Sequence, residues 1–488
     1  MSSFGTVRSL LEILCAEAAT VAAITTAAQP QFVGPAAALR RSVRGVSTDT
    51  RSLKKGDAFV ALAGENFNGH SFIQAAAERG AAVAIVANAW NDERVSNPAP
   101  LPVISVTDTL AAYGWIARAH RLQFQIPVIA VAGSNGKTST KEMIADLLST
   151  RYNVLRTEGN LNNLVGVPAM LLRMNETHTA AVIEIGTNMP GEIAALCQIL
   201  MPTHGLITNI GREHLELLGT IEGVANEEGA LFRWLAANGG TAFVNLDDRN
   251  VARLAKGLPT SVRYALRKPA DVRGVAGGMN QSGAPSLAIE MNGKQWPIAL
   301  QTPGLHTATN ALCAAAVGLT LKVPPTKVKR ALESFRPPEY RSGYARLAMV
   351  KAANGATVLN DTYNANPDST LAALQTLRAL KPGRGGKRIA VLGDMRELGA
   401  SSATEHTGIG EAVAKMGIAH TLFLGTEMQN AHRAAVAANG KTAAQHFTEK
   451  MELIAALQAL LNPNDVLLVK GSRGMKMEEV VKAITDSR

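Results

Sequence analysis

Short apolar runs alternate with amphipathic stretches along almost the whole chain. In the first hundred residues the runs are "DAFVALAG" (57–64), "AAVAIVAN" (81–88) and "LPVISVTD" (101–108), with a helix-like "HSFIQAAAERGA" after the first of them. That rhythm predicts a small α/β domain over 1–108. An amphipathic helix, "TLAAYGWIARAHRLQ" (109–123), leads into "IPVIAVAG" (126–133), and further apolar runs follow at 179–186, 204–211 and 240–247. These runs are continuous rather than alternating, which marks strands buried on both faces of a parallel sheet. Gly/Pro-rich sequence from Lys268 to Pro303 interrupts the rhythm and predicts an antiparallel excursion. Helical pattern then resumes at "TATNALCAAAVGLTL" (307–321) and "TKVKRALESF" (326–335).

"RPPEY" (336–340) cannot continue a helix, so a boundary is placed there and the central domain spans 109–335. Strand-like runs restart at 356–361, 387–395, 420–425 and 465–472, predicting a doubly wound, Rossmann-like third domain over 336–488. The fold class expected is therefore α/β in three domains, with a central domain built on a mostly parallel sheet. A length of 488 residues agrees, at roughly 150 residues per domain.

Composition narrows the class. Hydrophobic residues form 47% and charged residues 18% of the chain, too apolar for disorder. The stretch from Ala18 to Leu39 is Ala/Thr-rich and broken by Pro30 and Pro35, so no membrane span is expected there, and Glu12 and Glu17 oppose a signal peptide. Cys15, Cys197 and Cys313 lie far apart, with no metal or disulfide pattern. A cytoplasmic protein, acting as a monomer, is expected. Basic residues outnumber acidic ones 49 to 39, which suits an anionic ligand. Nucleic acid is disfavoured as that ligand, because the basic residues are scattered and aromatics are only 4%.

The chemistry starts at "VAGSNGKTST" (131–140). Gly133, Ser134, Asn135, Gly136, Lys137, Thr138 and Ser139 fall between a strand and a helix carrying Met143/Leu147 and Ile144/Leu148 at i, i+4. Backbone N–H groups and the helix dipole there favour an anion, Lys137 reaches outer phosphates, and the Thr138 hydroxyl suits Mg²⁺. An incidental Gly-rich turn is the alternative. Glu184 ends an otherwise apolar strand and His214 follows another strand end. A structural salt bridge and an ordinary histidine are the plain readings of each; together with the loop they read as a Mg²⁺–nucleotide site at strand ends.

"GSNGKT" (133–138), "EIGTNMPGEI" (184–193), "TNIGREH" (208–214) and "GLHTATNAL" (304–312) together resemble the Mur ligase family of ATP-dependent amide-bond formers. "STDTRSLKKGDAFVALAGENFNGHSF" (47–72), "NDTYNANPDST" (360–370), "VLGDMRELG" (391–399) and "VKGSRGMKMEEVV" (469–481) are similar to the branch that adds D-alanyl-D-alanine to UDP-N-acetylmuramoyl-tripeptide, a step of peptidoglycan and hence cell-wall synthesis. The resemblance implies an acid–D-amino-acid ligase that forms an acyl phosphate from ATP and releases ADP and phosphate. It implies that Lys137 holds the β- and γ-phosphates while Thr138, Glu184 and His214 serve Mg²⁺. It further implies that Asn310 contacts adenine with His306 one turn earlier, that Arg346 reaches the γ-phosphate, and that Asp361 accepts ribose hydroxyls. For the sugar nucleotide and peptide it implies Ser47, Asp49, Arg51, Asn162, Asn163 and Asn188, and for the dipeptide pocket Tyr363, Asn364 and Asn366. An Asn-rich turn closed by Pro367 is the plain reading of that last motif.

Four positions depart from the family pattern: Ala132, Met189, Asn68 and Asn360. A fifth is Glu228, which aligns with the family's carbamylated lysine and would supply a carboxylate directly, with Glu227 as a rival and a plain surface charge as a third option. The competing functions are a sibling ligase that adds a single amino acid to a muramoyl peptide or to folate, and an ATP-hydrolysing switch protein. "YNANP" and "KGSRGMKME" favour the dipeptide ligase.

Overall fold

The computed structural model describes residues 4–22, 29–64, 67–92, 99–291, 293–337, 345–438 and 442–486. They form two compact units, one of Met1–Ile129, Tyr152–Gly186 and Glu192–Thr203, the other of Ala130–Arg151, Thr187–Gly191 and His204–Arg488.

The first unit carries a five-stranded sheet in the order Gln31–Val33, Val103–Val106, Val83–Ala87, Ala58–Val60, Val46–Ser47. All neighbours are parallel except the first pair, and Ile85 stands opposite Ile104. Successive side chains alternate faces, so the buried runs line two cores. Ile85, Val60 and Ile104 pack with Leu10, Leu14 and Ile116 on one side; Phe59, Val86 and Val103 pack with Leu53 and Ile73 on the other. Leu10 and Leu14 come from helix Val7–Ala22, and Leu39, from the Ala-rich segment 15–42 for which the sequence suggests no role, packs against the same core. Asp108 starts helix Thr109–Arg121 by accepting the N–H groups of Leu110 and Ala111. The same unit holds strands Val154–Arg156 and Ala180–Glu184, paired in parallel.

In the second unit His204–Ile207, Thr241–Asn245, Ser261–Ala265 and Val272–Met279 are parallel neighbours. Pro285–Met291 and Lys294–Ala299 then continue antiparallel, the excursion the sequence predicts. The outermost strand carries Pro297 opposite Ala288. Helices Lys137–Leu148 and His306–Thr320 pack closely because residue 318 is glycine; a Cβ there would lie 2.2 Å from Leu147 Cδ2. A second sheet runs Ala348–Lys351, Thr357–Asp361, Val466–Lys470, Arg388–Gly393, His420–Leu424, Ala443–Phe447, parallel except for the first pair. Its outer strands, 348–351 and 443–447, are additions to the sequence reading; both alternate or lack buried positions, so they carry no continuous apolar run. Pro338 to Tyr340 of the expected boundary motif lie outside the described residues. Among the described residues no helix is long and apolar enough to cross a membrane, and Cys15, Cys197 and Cys313 form no disulfide.

Candidate active site

Strand Val128–Ala132 is wholly buried and delivers the chain into a loop whose glycines are required by geometry. Gly133 has φ +111° and Gly136 φ +81°, values open to glycine at little cost. A Cβ on Gly133 would lie 2.4 Å from Thr208 Oγ1 and 2.7 Å from Thr208 N; one on Gly136 would lie 3.0 Å from Asn310 Oδ1. The loop is strapped to the segment after strand His204–Ile207. Ser134 N–H donates to the Asn209 carbonyl (2.9 Å), Asn135 N–H to Asn209 Oδ1 (3.1 Å) and Gly211 N–H to Ser134 Oγ (2.8 Å). Helix Lys137–Leu148 begins at once, so the N–H groups of its first turn face outward over the loop. Lys137 Nζ bends back to the carbonyl of Gly133 (2.5 Å), with Glu213 Oε2 at 3.4 Å. Thr138 is buried beside it and Asn310 is buried against Gly136.

Two carboxylates stand under this loop. Glu228, the last residue of helix Ile221–Glu228, is fully buried; its Oε2 accepts the Gly133 N–H at 2.8 Å and its Oε1 has no hydrogen-bond partner. Burial pushes its pKa up to about 8; Lys137 draws it down and Glu213 raises it further. Glu213 is buried too, with Oε1 unpartnered. Sequence reasoning passes over Glu213, whose only signal is its place beside His214. Glu227 faces elsewhere: its Oε2 accepts Gly191 N–H (2.7 Å) and its Oε1 the Thr187 hydroxyl (3.4 Å), tying down the loop that bears the exposed Asn188. Of the two rivals, Glu228 is the one at the phosphate loop.

His214 is held in a left-handed conformation, φ +50°, by the turn that opens helix Leu215–Leu218. Its Nδ1 lies 2.8 Å from Glu397 Oε2, a residue itself at φ +65°. That partner holds the Glu397 carboxyl below its ordinary range. It also orients the ring, with Nδ1 facing that carboxylate and Nε2 3.9 Å from Glu213 Oε2. Non-glycine residues in that conformation are uncommon, and here two of them meet.

Glu397 belongs to the loop after strand Arg388–Gly393, so the second sheet of this unit is brought to the nucleotide-type loop by its strand ends. Arg212 strengthens the junction. Its Nη2 and Nε bind Asp368 Oδ1 (2.5 and 3.1 Å), its backbone N–H donates to Asp368 Oδ2 (2.7 Å) and its Nη1 binds Glu405 (2.7 Å). Asn366 caps helix Pro367–Ala379 and gives its Nδ2 to Asn135 Oδ1 at 2.9 Å. Tyr363 lies under Arg346, whose guanidinium carbon is 4.0 Å from the ring centroid and whose Nε is buried without a hydrogen-bond partner. Asp361 accepts the Leu347 N–H on Oδ1 and the Lys470 ammonium on Oδ2 (2.6 Å); Lys470 also donates to the Asn364 carbonyl (2.8 Å). Burial depresses the pKa of His306; Asp361 opposes that shift and Lys470 adds to it.

In the first unit, Ser47 and Asp49 shape one turn: Ser47 Oγ donates to the Asp49 carbonyl and Asp49 grips the Arg51 side chain and N–H. The hydrogen bonds from Arg51 hold the Asp49 carboxyl below its ordinary range. Glu184, buried at its strand end, accepts Asn162 Nδ2 on Oε1 (2.9 Å), while Oε2 is buried with no hydrogen-bond partner. Asn163 uses its Oδ1 to cap helix Gly166–Leu171.

Three family patterns match the chain: the Mur ligase family catalytic domain over residues 42–121, the Mur ligase middle domain over 131–318 and the Mur ligase glutamate ligase domain over 345–473. A Bacillus subtilis protein named UDP-N-acetylmuramoyl-tripeptide–D-alanyl-D-alanine ligase is 33% identical over 462 residues, 95% of this chain and 96% of the relative. An Escherichia coli protein of the same name is 34% identical over 453 residues, 91% and 94% of the two chains. Among solved structures, MurF from Acinetobacter baumannii is similar at TM-score 0.84, with 29% identity and full coverage of both chains.

Proposed function

Because this chain belongs to the Mur ligase family, and joins D-alanyl-D-alanine to UDP-N-acetylmuramoyl-tripeptide at the expense of ATP in peptidoglycan synthesis, we propose a division of that work among its residues. The matched family segments support assigning 1–108 to the UDP-sugar peptide, 109–335 to ATP and 336–488 to the dipeptide and the far side of the nucleotide.

ATP lies on the loop Gly133–Ser139. The N–H groups of that loop and the Lys137 ammonium take the β- and γ-phosphates, with Asn310 at the base, His306 beside it, Asp361 at the ribose and Arg346 at the γ-phosphate. Ser47, Asp49 and Arg51 hold the uridine diphosphate; Asn162, Asn163 and Asn188 hold the muramoyl peptide. The tripeptide carboxylate attacks the γ-phosphorus, ADP leaves, and an acyl phosphate forms. The dipeptide amine, in the pocket of Tyr363, Asn364 and Asn366, adds to the acyl carbon, and the tetrahedral intermediate collapses with loss of phosphate. No covalent bond to the protein is needed; approach and charge neutralisation are.

Among the described residues no three His, Cys, Asp or Glu side chains form a ready cage for a metal. The Thr138 hydroxyl, the unpartnered Glu184 Oε2 and the His214 Nε2 that Glu397 leaves available are hard donors that would hold Mg²⁺. When bound, Mg²⁺ would neutralise charge between the attacking carboxylate and the phosphate. Glu228 keeps the Gly133 N–H in place beneath the phosphates. We place the enzyme in the cytoplasm, as a monomer.

The observation that carries this division is the Lys137 ammonium, poised on the Gly133 carbonyl at the mouth of a loop whose backbone is fixed by Asn209 and Glu228. Phosphate release tests it: ADP and phosphate should appear only with both UDP-muramoyl-tripeptide and D-alanyl-D-alanine present, and Lys137→Ala should abolish them. Turnover with a single amino acid would instead identify a sibling ligase, and turnover with ATP alone a switch protein.

A further inference from the structure

The carboxyl ends of three neighbouring strands, Thr357–Asp361, Val466–Lys470 and Arg388–Gly393, meet at the face that touches the phosphate loop. Open parallel sheets bind ligands at such ends. Four cationic side chains stand there, one of them Arg346, stacked on Tyr363 and assigned above to the γ-phosphate. Lys470 is committed to Asp361 and Arg473 to Glu478. Arg396, two residues after Asp394 and next to Glu397, makes no side-chain hydrogen bond or ion pair with any described residue, and it is exposed.

Its position is nonetheless built. Ser472 Oγ accepts the Arg396 N–H at 2.8 Å and donates to the Ala365 carbonyl at 3.1 Å, while Ser472 N–H donates to the Asp394 carbonyl, so one serine pins all three strand-end loops. The guanidinium passes close to residue 474, which is glycine. A Cβ there would come within 2.5 Å of Arg396 Nη1 and 2.8 Å of Cζ. Gly474 has no positive φ, so its backbone does not demand glycine; the missing side chain makes room for the arginine. The neighbour Glu397 is bound to His214, and Asn364, from the motif assigned to the dipeptide, accepts the Arg473 N–H at 3.2 Å.

Resting on the reading of function above, we propose that Arg396 receives the free C-terminal carboxylate of the incoming D-alanyl-D-alanine. The dipeptide has two methyl side chains and one amine, and that amine must be neutral to attack. Its carboxylate is then the one charge by which it can be gripped. A guanidinium matches that group with two parallel N–H donors. Such an anchor holds the amine within roughly 7 Å, the reach of two residues.

Steady-state phosphate release with D-alanyl-D-alanine and with its C-terminal amide tests this. Wild type should prefer the acid strongly. Arg396→Ala should raise KM for the dipeptide by about 10- to 100-fold, leave KM for ATP within about twofold, and use acid and amide alike. Arg396→Lys should recover part of the preference. Unchanged preference for the acid in Arg396→Ala would overturn the proposal. So would an effect on KM for ATP instead, which would put the guanidinium on phosphate. A wild type that needs only a single amino acid would overturn the function first, and this subsite with it.

Discussion

Replacing Glu228 by glutamine should remove a pH-dependent strain from the fold. Burial raises this carboxyl to about 8, so between its ordinary 4.5 and that value the folded chain holds a proton that the unfolded chain has lost. Protons bound more by the native state mean that stability falls as pH rises through this window. The contribution is intact below about pH 4.5 and gone above about pH 8. At ~1.4 kcal/mol for each tenfold change in proton affinity, the distance between the two values caps the effect at about 5 kcal/mol, and relaxation around the neighbouring Lys137 and Glu213 should reduce it to ~2–4 kcal/mol. Glutamine keeps an oxygen for the Gly133 N–H and has no charge to form. Urea unfolding of wild type and Glu228→Gln, with chelator and without nucleotide, should show the variant gaining ~2–4 kcal/mol on wild type between pH 5 and pH 8.5. A difference that stays constant across that range would refute the reasoning, because every other titrating group is common to both proteins.

Two further outcomes follow from the same unit. Arg212→Ala and Asp368→Ala should be non-additive in urea unfolding, with a coupling of ~1–2 kcal/mol; partial exposure of the pair keeps the value from being larger, and coupling under ~0.3 kcal/mol would refute a working clamp. Lys470→Met should cost ~3–5 kcal/mol because it strands the buried Asp361 carboxylate, and adding Asp361→Asn should restore part of that loss in the same assay. A double variant no more stable than the single one would show that the ion pair is not the cause.

What the sequence makes legible is what it encodes locally. "GSNGKT" announces its turn because Gly133 and Gly136 hold positive φ and because strand and helix adjoin it directly. Glu184 stands out as a charge ending a fully apolar strand. "YNANP" reads as a Pro-closed turn, and Asn366 does cap the helix that Pro367 opens. Arg212, Glu213 and Glu397 leave no such trace. Arg212 meets partners 156 and 193 positions away, and the Glu397 that orients His214 comes from the other sheet of its unit. No period or spacing reports a pairing over that distance. Strand 443–447 escapes for a different reason: none of its residues is fully buried, so it offers no apolar run to recognise.

The hairpin that ends the first sheet of the second unit bears on how the enzyme keeps to itself. An outer strand offers its unpaired N–H and C=O groups to any passing chain, and two copies can zip together along it. Here that strand opens on Lys294 and has Pro297 in its middle, so one amide hydrogen is missing and one end is charged. Crowded molecules of this ligase should therefore collide along that rim without templating one another, and a Pro297→Val chain should be the one that precipitates on storage.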